Sequence, residues 1–265
     1  MKAALGIDVG GTGVKAALVE IASGELLSKR VRVKTPVPAT PQAVAQTVRD
    51  VVAQIEAERD MPPHLPVGCG LPGVVKDGRV LTVANIDKGW LTVSAEEILG
   101  EAIGRPLVAI NDADAAGIAE VRLGAGRGQA GTVLLLTIGT GIGSALFTDG
   151  RLVRNLELGH LEMKGFEAER ELSGAARDRR GLKWRQWAAE FNEYLARLEA
   201  YFWPDLFIFS GGVSKSMAKY VDYLESRAPI VPARFLNTAG IVGAALWAAG
   251  LVEVDEQARD VVGVG

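Results

Sequence analysis

The sequence predicts an α/β protein of two domains with largely parallel sheets. Three observations point there. Short apolar strands alternate with amphipathic helical segments along the chain, which is the pattern of helices covering a parallel sheet. A strand–glycine turn–strand unit, GIDVGGTGVKAALV, recurs as LLTIGTGIGSALFT; Asp8 in the first falls opposite Thr137 in the second, an offset of 129 residues, close to half the chain. The length of 265 residues also suits two domains at roughly 150 residues each.

In chain order, Ala3 to Val9 is a buried strand, and Val14 to Glu20 and Leu26 to Lys34 continue as strands divided by a Ser23-Gly24 turn. Thr40 to Arg59 reads as a helix with Pro41 in its first turn and Val44, Val48, Val51, Val52 and Ile55 on one face. Leu65 to Leu71 is a strand, Ser94 to Ile103 a capped helix, and Leu107 to Ile110 a strand leading into a helix over Ala113 to Arg122. The second half restarts with strands at Thr132 to Ile138 and Ile142 to Phe147. Trp184 to Phe202 carries apolar residues at helical spacing, Leu206 to Phe209 is a strand, and an Ala/Gly-rich helix spans Asn237 to Ala249. The expected division is a smaller domain over 1–110, rejoined by the C-terminal segment at about 246–265, and a larger one over 111–245.

Composition narrows the function. Apolar residues make up 48% of the chain and charged residues 23%, which excludes a disordered tail as the main story. Acidic and basic residues nearly balance, 32 against 29, for a formal charge of -3, so nucleic-acid binding is disfavoured. The single cysteine, Cys69, excludes a disulfide framework and a Cys-rich zinc site. No apolar run approaches the about 20 residues that span a bilayer, and the N-terminal residues lack a signal-peptide pattern, so a cytoplasmic location is expected.

The glycine turns carry the chemistry. No GxxxxGK[ST] P-loop is present. Gly11-Thr12-Gly13-Val14-Lys15-Ala16 matches the dinucleotide fingerprint, but a hairpin rather than a helix follows it, which argues against NAD. Two facing glycine turns suit phosphate better, because backbone N–H groups approach the oxygens without a Cβ in the way. Gly10, Gly11, Thr12 and Lys15 form the first candidate phosphate site and Gly139, Thr140 and Gly141 the second. Asp8, at a strand end, is placed to hold Mg²⁺ directly or through its water shell. A third turn, Gly211-Gly212-Val213, follows an apolar strand and opens a helix near Ser214, a place for a nucleotide.

These turns, in this order, resemble the two phosphate motifs and the adenosine motif of the actin/hexokinase/Hsp70 superfamily, and within it the chain resembles the ROK family over essentially its whole length. The resemblance implies two actin/hexokinase-like (ribonuclease H-like) α/β domains with a cleft between them. It implies a sugar kinase of the polyphosphate-using glucokinase branch, moving a phosphoryl group from polyphosphate or ATP to the 6-hydroxyl of glucose, with mannose as a second candidate sugar. A homodimer is implied too, with the Trp184–Phe202 helix contributing to the contact.

Asn111-Asp112, after a strand and before a helix, reads either as an N-cap or as a base at the hinge. The resemblance assigns Asp112 the general-base role, as a weak base whose pKa the helix N-terminus lowers. Asp114 is a rival acid with a structural reading. The family's Glu-x-Gly-His segment corresponds to Glu157 and His160, and its Ser-Gly to Ser173-Gly174, which places the second sugar-binding glutamate at Glu169; Glu162 and Glu167 compete for that role. Gly73 and Asn85 match family segments beside the sugar, and Trp90 is either pocket wall or core. The loop between His160 and Glu169 lacks the cysteines that hold structural zinc in many ROK proteins, so packing by Leu161, Met163 and Phe166 is expected to order it. Residues 151–187 hold nine basic and six acidic residues, and the Arg177–Arg185 cluster reads equally as a polyphosphate patch or a solvated face.

Overall fold

The computed structural model describes residues 2–250. β1 (Ala3–Gly10) and β2 (Gly13–Glu20) form an antiparallel hairpin around the first glycine turn, and β3 (Val31–Val33) extends it as an edge strand. The strand expected over Leu26 to Lys34 is interrupted. Only an isolated bridge joins Leu26 to Val19, and the Ser28 hydroxyl accepts from the Leu18 amide in place of a ladder carbonyl.

α1 (Pro41–Glu58) starts where Thr40 accepts from the Ala43 amide, and its valine face is buried. β4 (Val67–Leu71) pairs parallel to β1. A small hairpin, β5 (Val75–Lys76) and β6 (Arg79–Val80), leads to α2 (Ala95–Ile103), which Ser94 caps. β7 (Val108–Asn111) pairs parallel to β4 and passes into α3 (Asp112–Leu123) with no intervening loop.

The second sheet repeats this plan. β8 (Thr132–Ile138) and β9 (Ile142–Thr148) form the second glycine hairpin, and β10 (Arg151–Val153) extends it. A short hairpin, β11 (Glu162–Met163) and β12 (Phe166–Glu167), precedes α4 (Ala168–Leu172), α5 (Gly174–Arg179) and the long α6 (Trp184–Phe202). β13 (Leu206–Ser210) pairs parallel to β8, one turn of helix α7 (Gly211–Ser214) follows, and β14 (Ile230–Pro232) pairs parallel to β13. The strand orders are β3-β2-β1-β4-β7 and β10-β9-β8-β13-β14, the same topology twice, which confirms the duplication read from the glycine turns.

α8 (Ala239–Ala248) is the last helix of the described residues; of the C-terminal segment expected to rejoin the first domain, 251–265 lies outside them. α3 and α8 pack between the two sheets, sharing one core with Ala17 and Val19 on one side and Leu135 and Phe147 on the other. The helices touch so closely that a Cβ on Gly243 would lie 1.6 Å from the Ala115 carbonyl oxygen. Separate cores fill the outer faces, one under α1 and α2 and one under α6. In α6 the faces of Trp187, Phe191, Tyr194 and Leu198 are buried, whereas Tyr201 is exposed. Met163 is buried and Leu161 and Phe166 pack against the same core, so packing orders this loop as expected.

Candidate active site

The paired sheets leave a cleft of about 560 Å³ between them, lined by the ends of β1, β7 and β8 and by all three glycine turns. That volume lies within the range of small-molecule sites.

On one side, Asp8 at the end of β1 faces Lys15 directly across the hairpin, and Lys15 Nζ lies 2.7 Å from Asp8 Oδ2. Gly10, Gly11 and Thr12 form the turn beside them. Asn85, at positive φ, packs against this turn so closely that a Cβ on Gly11 would lie 2.9 Å from its own Cβ. Opposite, Gly139 and Gly141 close the second turn, where the Gly139 amide donates to the Gly141 carbonyl at 3.0 Å. Gly211 takes φ +78°, a left-handed conformation that glycine adopts without strain, and Gly211 and Gly212 both face the cleft. Val213 does not. Its side chain is buried in the core under α6, because one turn of helix rotates it away from the glycines.

The floor is built on Asn111. Its Oδ1 caps α3, accepting from the Ala113 and Asp114 amides at 2.8 and 3.0 Å. Its Nδ2 donates to the Gly73 carbonyl at 3.0 Å and to Glu157 Oε1 at 3.2 Å, so one side chain joins a loop from each half. The N-cap role of this pair thus falls to Asn111, and its neighbour Asp112 faces the cleft.

The expectation of a weak base at Asp112 is corrected. The Ala113 amide does lower its pKa, but burial and the neighbouring carboxylates of Asp8, Glu157 and Asp114 outweigh it and raise the group from 3.8 to about 7. Desolvation at the cleft floor is the largest cause. Glu157 is pushed up as well, by burial and by Glu169, against the lowering effect of His160.

His160 is held among three carboxylates. Its Nε2 lies 3.7 Å from Glu157 Oε2, and its Nδ1 lies 3.5 Å from Glu167 Oε1 and 4.0 Å from Glu169 Oε1. Of the three competing glutamates, only Glu169 lines the cleft, where it also accepts from the Ile142 amide at 3.3 Å. Glu167 instead pairs with Arg170 at 2.8 Å. Ligand atoms of His160, Glu167 and Glu169 come within 4.8 Å of one another.

Trp90 is core. It is fully buried under α1, its indole donating to the Ala39 carbonyl at 3.1 Å. Asp114 is also fully buried and takes the structural role, accepting from the Asn155 amide at 2.8 Å. Ser144 was missed. Its hydroxyl donates to the Leu156 carbonyl and accepts from the Leu158 amide, which fixes Glu157 between them. The repeat held the signal, since the same 129-residue offset sets Ser144 opposite Lys15. Asn237 also lines the cleft together with Gly211 and Gly212, and no motif marks it.

A sequence model of the ROK family matches residues 4–178. A polyphosphate glucokinase of Mycobacterium tuberculosis is 46% identical over 242 residues, covering 91% of this chain and 89% of that protein. The crystal structure of an inorganic polyphosphate/ATP-glucomannokinase from Arthrobacter sp. strain KM superposes with a TM-score of 0.91 at 48% identity, covering 95% of this chain and all of that one. A ROK family glucokinase from Streptomyces griseus, in complex with glucose and AMPPNP, superposes with a TM-score of 0.78 at 26% identity, covering 94% of this chain and 99% of that one.

Proposed function

The chain belongs to the ROK family and is a sugar kinase, and from that premise we propose that it moves the terminal phosphoryl group of polyphosphate or ATP to the 6-hydroxyl of glucose, with mannose as a second acceptor. The observation that carries this reading is the floor of the cleft, where Asp112 lies between the Asn111–Gly73–Glu157 network on one side and the glycine turns on the other.

The sugar binds against Gly73, Asn85, Asn111, Glu157, His160 and Glu169. Carboxylates and an imidazole suit adjacent hydroxyls, because each accepts or donates paired hydrogen bonds. Asp112 accepts the O6 proton as the O6 lone pair bonds to phosphorus, and the bridging P–O bond breaks toward the departing phosphate. With a pKa near the working pH, Asp112 is both deprotonated in good part and basic enough to take that proton.

The donor lies along the turns at Gly10–Thr12 and Gly139–Gly141, with Lys15 adding charge and Gly211–Gly212 receiving a nucleotide. The site fits Mg²⁺. Asp8 supplies a hard carboxylate beside the phosphate turn, with Lys15 on one of its two oxygens. When bound, the ion would neutralise charge on the donor's phosphates. Phosphoryl transfer passes through a loose transition state, so positioning by these groups supplies most of the catalysis.

The test is formation of glucose 6-phosphate with Mg²⁺, offering ATP and then long-chain polyphosphate as the sole donor. Turnover with both supports the dual-donor reading, turnover with ATP alone restricts the donor, and turnover with neither overturns the proposal. Mannose in place of glucose tests the second acceptor in the same assay.

A further inference from the structure

The edge strand β3 carries cations that the reaction at the cleft floor does not use. Arg32 pairs with Lys15 across β2 and β3, and Lys15 pairs with Asp8 across β1 and β2. Residues directly opposite in antiparallel strands share a face, so Asp8, Lys15 and Arg32 form one row on the cleft face of the sheet. The Arg32 guanidinium reaches over the phosphate turn. Its Nη2 lies 3.4 Å from the Thr12 carbonyl oxygen, and a Cβ on Gly13 would meet its Nε at 2.7 Å.

Arg30 and Lys34 flank β3 by one residue at each end, and continuing its alternation outward puts them on the side of Arg32, each about 7 Å from it. Val31 and Val33, between them, turn the other way and pack into the core under α1. Arg30, Arg32 and Lys34 are all exposed, and none forms an ion pair among the described residues.

The Arg177–Arg185 cluster differs. Arg177 pairs with Asp178 at 2.6 Å and stacks 3.7 Å over Trp184, Arg179 lies 3.8 Å from Glu171, and Arg180 reaches Glu190 at 2.7 Å. Three of its cations are thus paired within the fold, whereas Lys183 and Arg185 form no ion pair among the described residues and Arg185 lies 5.8 Å over the Tyr223 ring.

We propose that Arg30, Arg32 and Lys34 hold the distal phosphates of a linear polyphosphate whose end lies in the Gly10–Gly13 turn. The chain leaves the cleft along β3, away from the Gly211–Gly212 turn where the nucleotide reading puts a base. The inference rests on the polyphosphate reading of the donor. A polyanion on three unpaired cations releases counterions, so binding is salt-dependent and grows with chain length until the row is covered.

The test uses R30Q/K34Q, which leaves Arg32 and the turn intact. Its KM for long-chain polyphosphate should rise by about 5–10-fold, and the slope of log KM against log salt should fall by about two. ATP-driven kcat/KM should stay at the wild-type value, which also shows that the fold is retained, and tripolyphosphate should discriminate little between the two proteins. R179Q/R185Q should leave all these values unchanged. An unchanged polyphosphate KM in R30Q/K34Q, or a rise in R179Q/R185Q instead, overturns the row and leaves the donor reading standing. A wild-type enzyme that uses ATP but not polyphosphate overturns the donor reading and the row with it. Equal inhibition of wild type and variant by a single-stranded RNA oligomer is expected. If RNA competes with long polyphosphate as well as unlabelled polyphosphate does, the row is a general polyanion surface and the proposal falls.

Discussion

Asn155 holds both backbone polar groups of Val75. The Val75 amide donates to Asn155 Oδ1 at 3.0 Å, and Asn155 Nδ2 donates back to the Val75 carbonyl at 3.0 Å. The two residues belong to different halves of the chain. Val75 follows the Pro72–Gly73 wall of the cleft, and Asn155 stands two residues before Glu157. Asn155 is itself anchored, its amide donating to Asp114, two residues along α3 from Asp112. The Asn111 bridge and this clamp thus fix two walls of the cleft, where the sugar is proposed to bind, and its floor at one spacing.

The clamp should control sugar affinity. Asn155 has φ +61°, so Asn155→Gly keeps the backbone and removes only the side chain, whereas Asn155→Ala adds strain as well. Two partly buried hydrogen bonds contribute about 1 kcal/mol each, which corresponds to about a tenfold or greater rise in glucose KM for N155G if they act through the sugar wall. The donor KM should change far less. Steady-state kinetics on N155G decide this, and a wild-type glucose KM in that variant would confine the clamp to stability.

Removal of the proposed base, Asp112, should spare binding. Asp112→Asn keeps the shape of the floor and loses the proton acceptor, so kcat should fall by about 10²–10⁴-fold while glucose affinity by calorimetry stays within a few-fold. In the proposed role Asp112 must be deprotonated, and its pKa is raised to about 7. The kcat/KM of the wild type should therefore fall about tenfold per pH unit below 7 and level off above about pH 8. A profile flat from pH 5 to 8 would remove Asp112 from the proton transfer.

The parts legible in the sequence were those set by local pattern. Glycine turns at strand ends gave three of the segments that line the cleft, and their repetition gave two sheets of one topology. The basicity of Asp112 was not legible, because Asp8 and Glu157 lie over 40 residues away on either side and only folding brings them to it. Val213 shows the limit of a motif, since a three-residue match cannot say which residue the helix turns inward. The end of the third strand was lost to one hydroxyl, Ser28, that competes with the ladder. The loop from His160 to Glu169 was legible because three apolar residues in a polar stretch have few places to go.

Asp114 should make stability fall as pH rises. Burial raises its pKa from 3.8 to about 7, against the lowering effects of the Asn155 amide and Arg154. A carboxyl raised on folding binds its proton more tightly in the native state, so native stability declines from about pH 4 to pH 7 and stays lower above. Asp114→Asn removes that cost and can still accept from the Asn155 amide. Its Tm should exceed that of the wild type at pH 8 by the equivalent of a few kcal/mol, at most about 4, and the gain should shrink toward pH 5. Thermal unfolding at the two pH values measures it, and a loss that is the same at both would mean that the charge on Arg154 needs its partner.

Glu120 should set the donor end of the cleft from inside the core. It is fully buried in α3, yet its carboxylate accepts from the amides of Ala125 at 2.9 Å, Arg234 at 3.0 Å and Phe235 at 2.7 Å. A carboxylate with several backbone donors resists substitution, because each donor left behind is buried without a partner. Two of those donors, Arg234 and Phe235, belong to the segment that continues into Leu236 and Asn237, both lining the cleft with Gly211 and Gly212, while the third, Ala125, follows the end of α3. Glu120→Ala orphans all three and should cost about 3–5 kcal/mol, enough to threaten folding. Glu120→Gln keeps one acceptor oxygen and turns an amide NH₂ toward the remaining donors, so it should fold with a lower urea midpoint. In E120Q the KM for ATP should rise several-fold while the glucose KM holds, because the sugar walls are anchored through Asn111 and Asn155 and not through this segment. Parallel increases in both KM values would show that Glu120 serves the whole core, and a wild-type ATP KM would show that the nucleotide does not lean on the 234–237 segment.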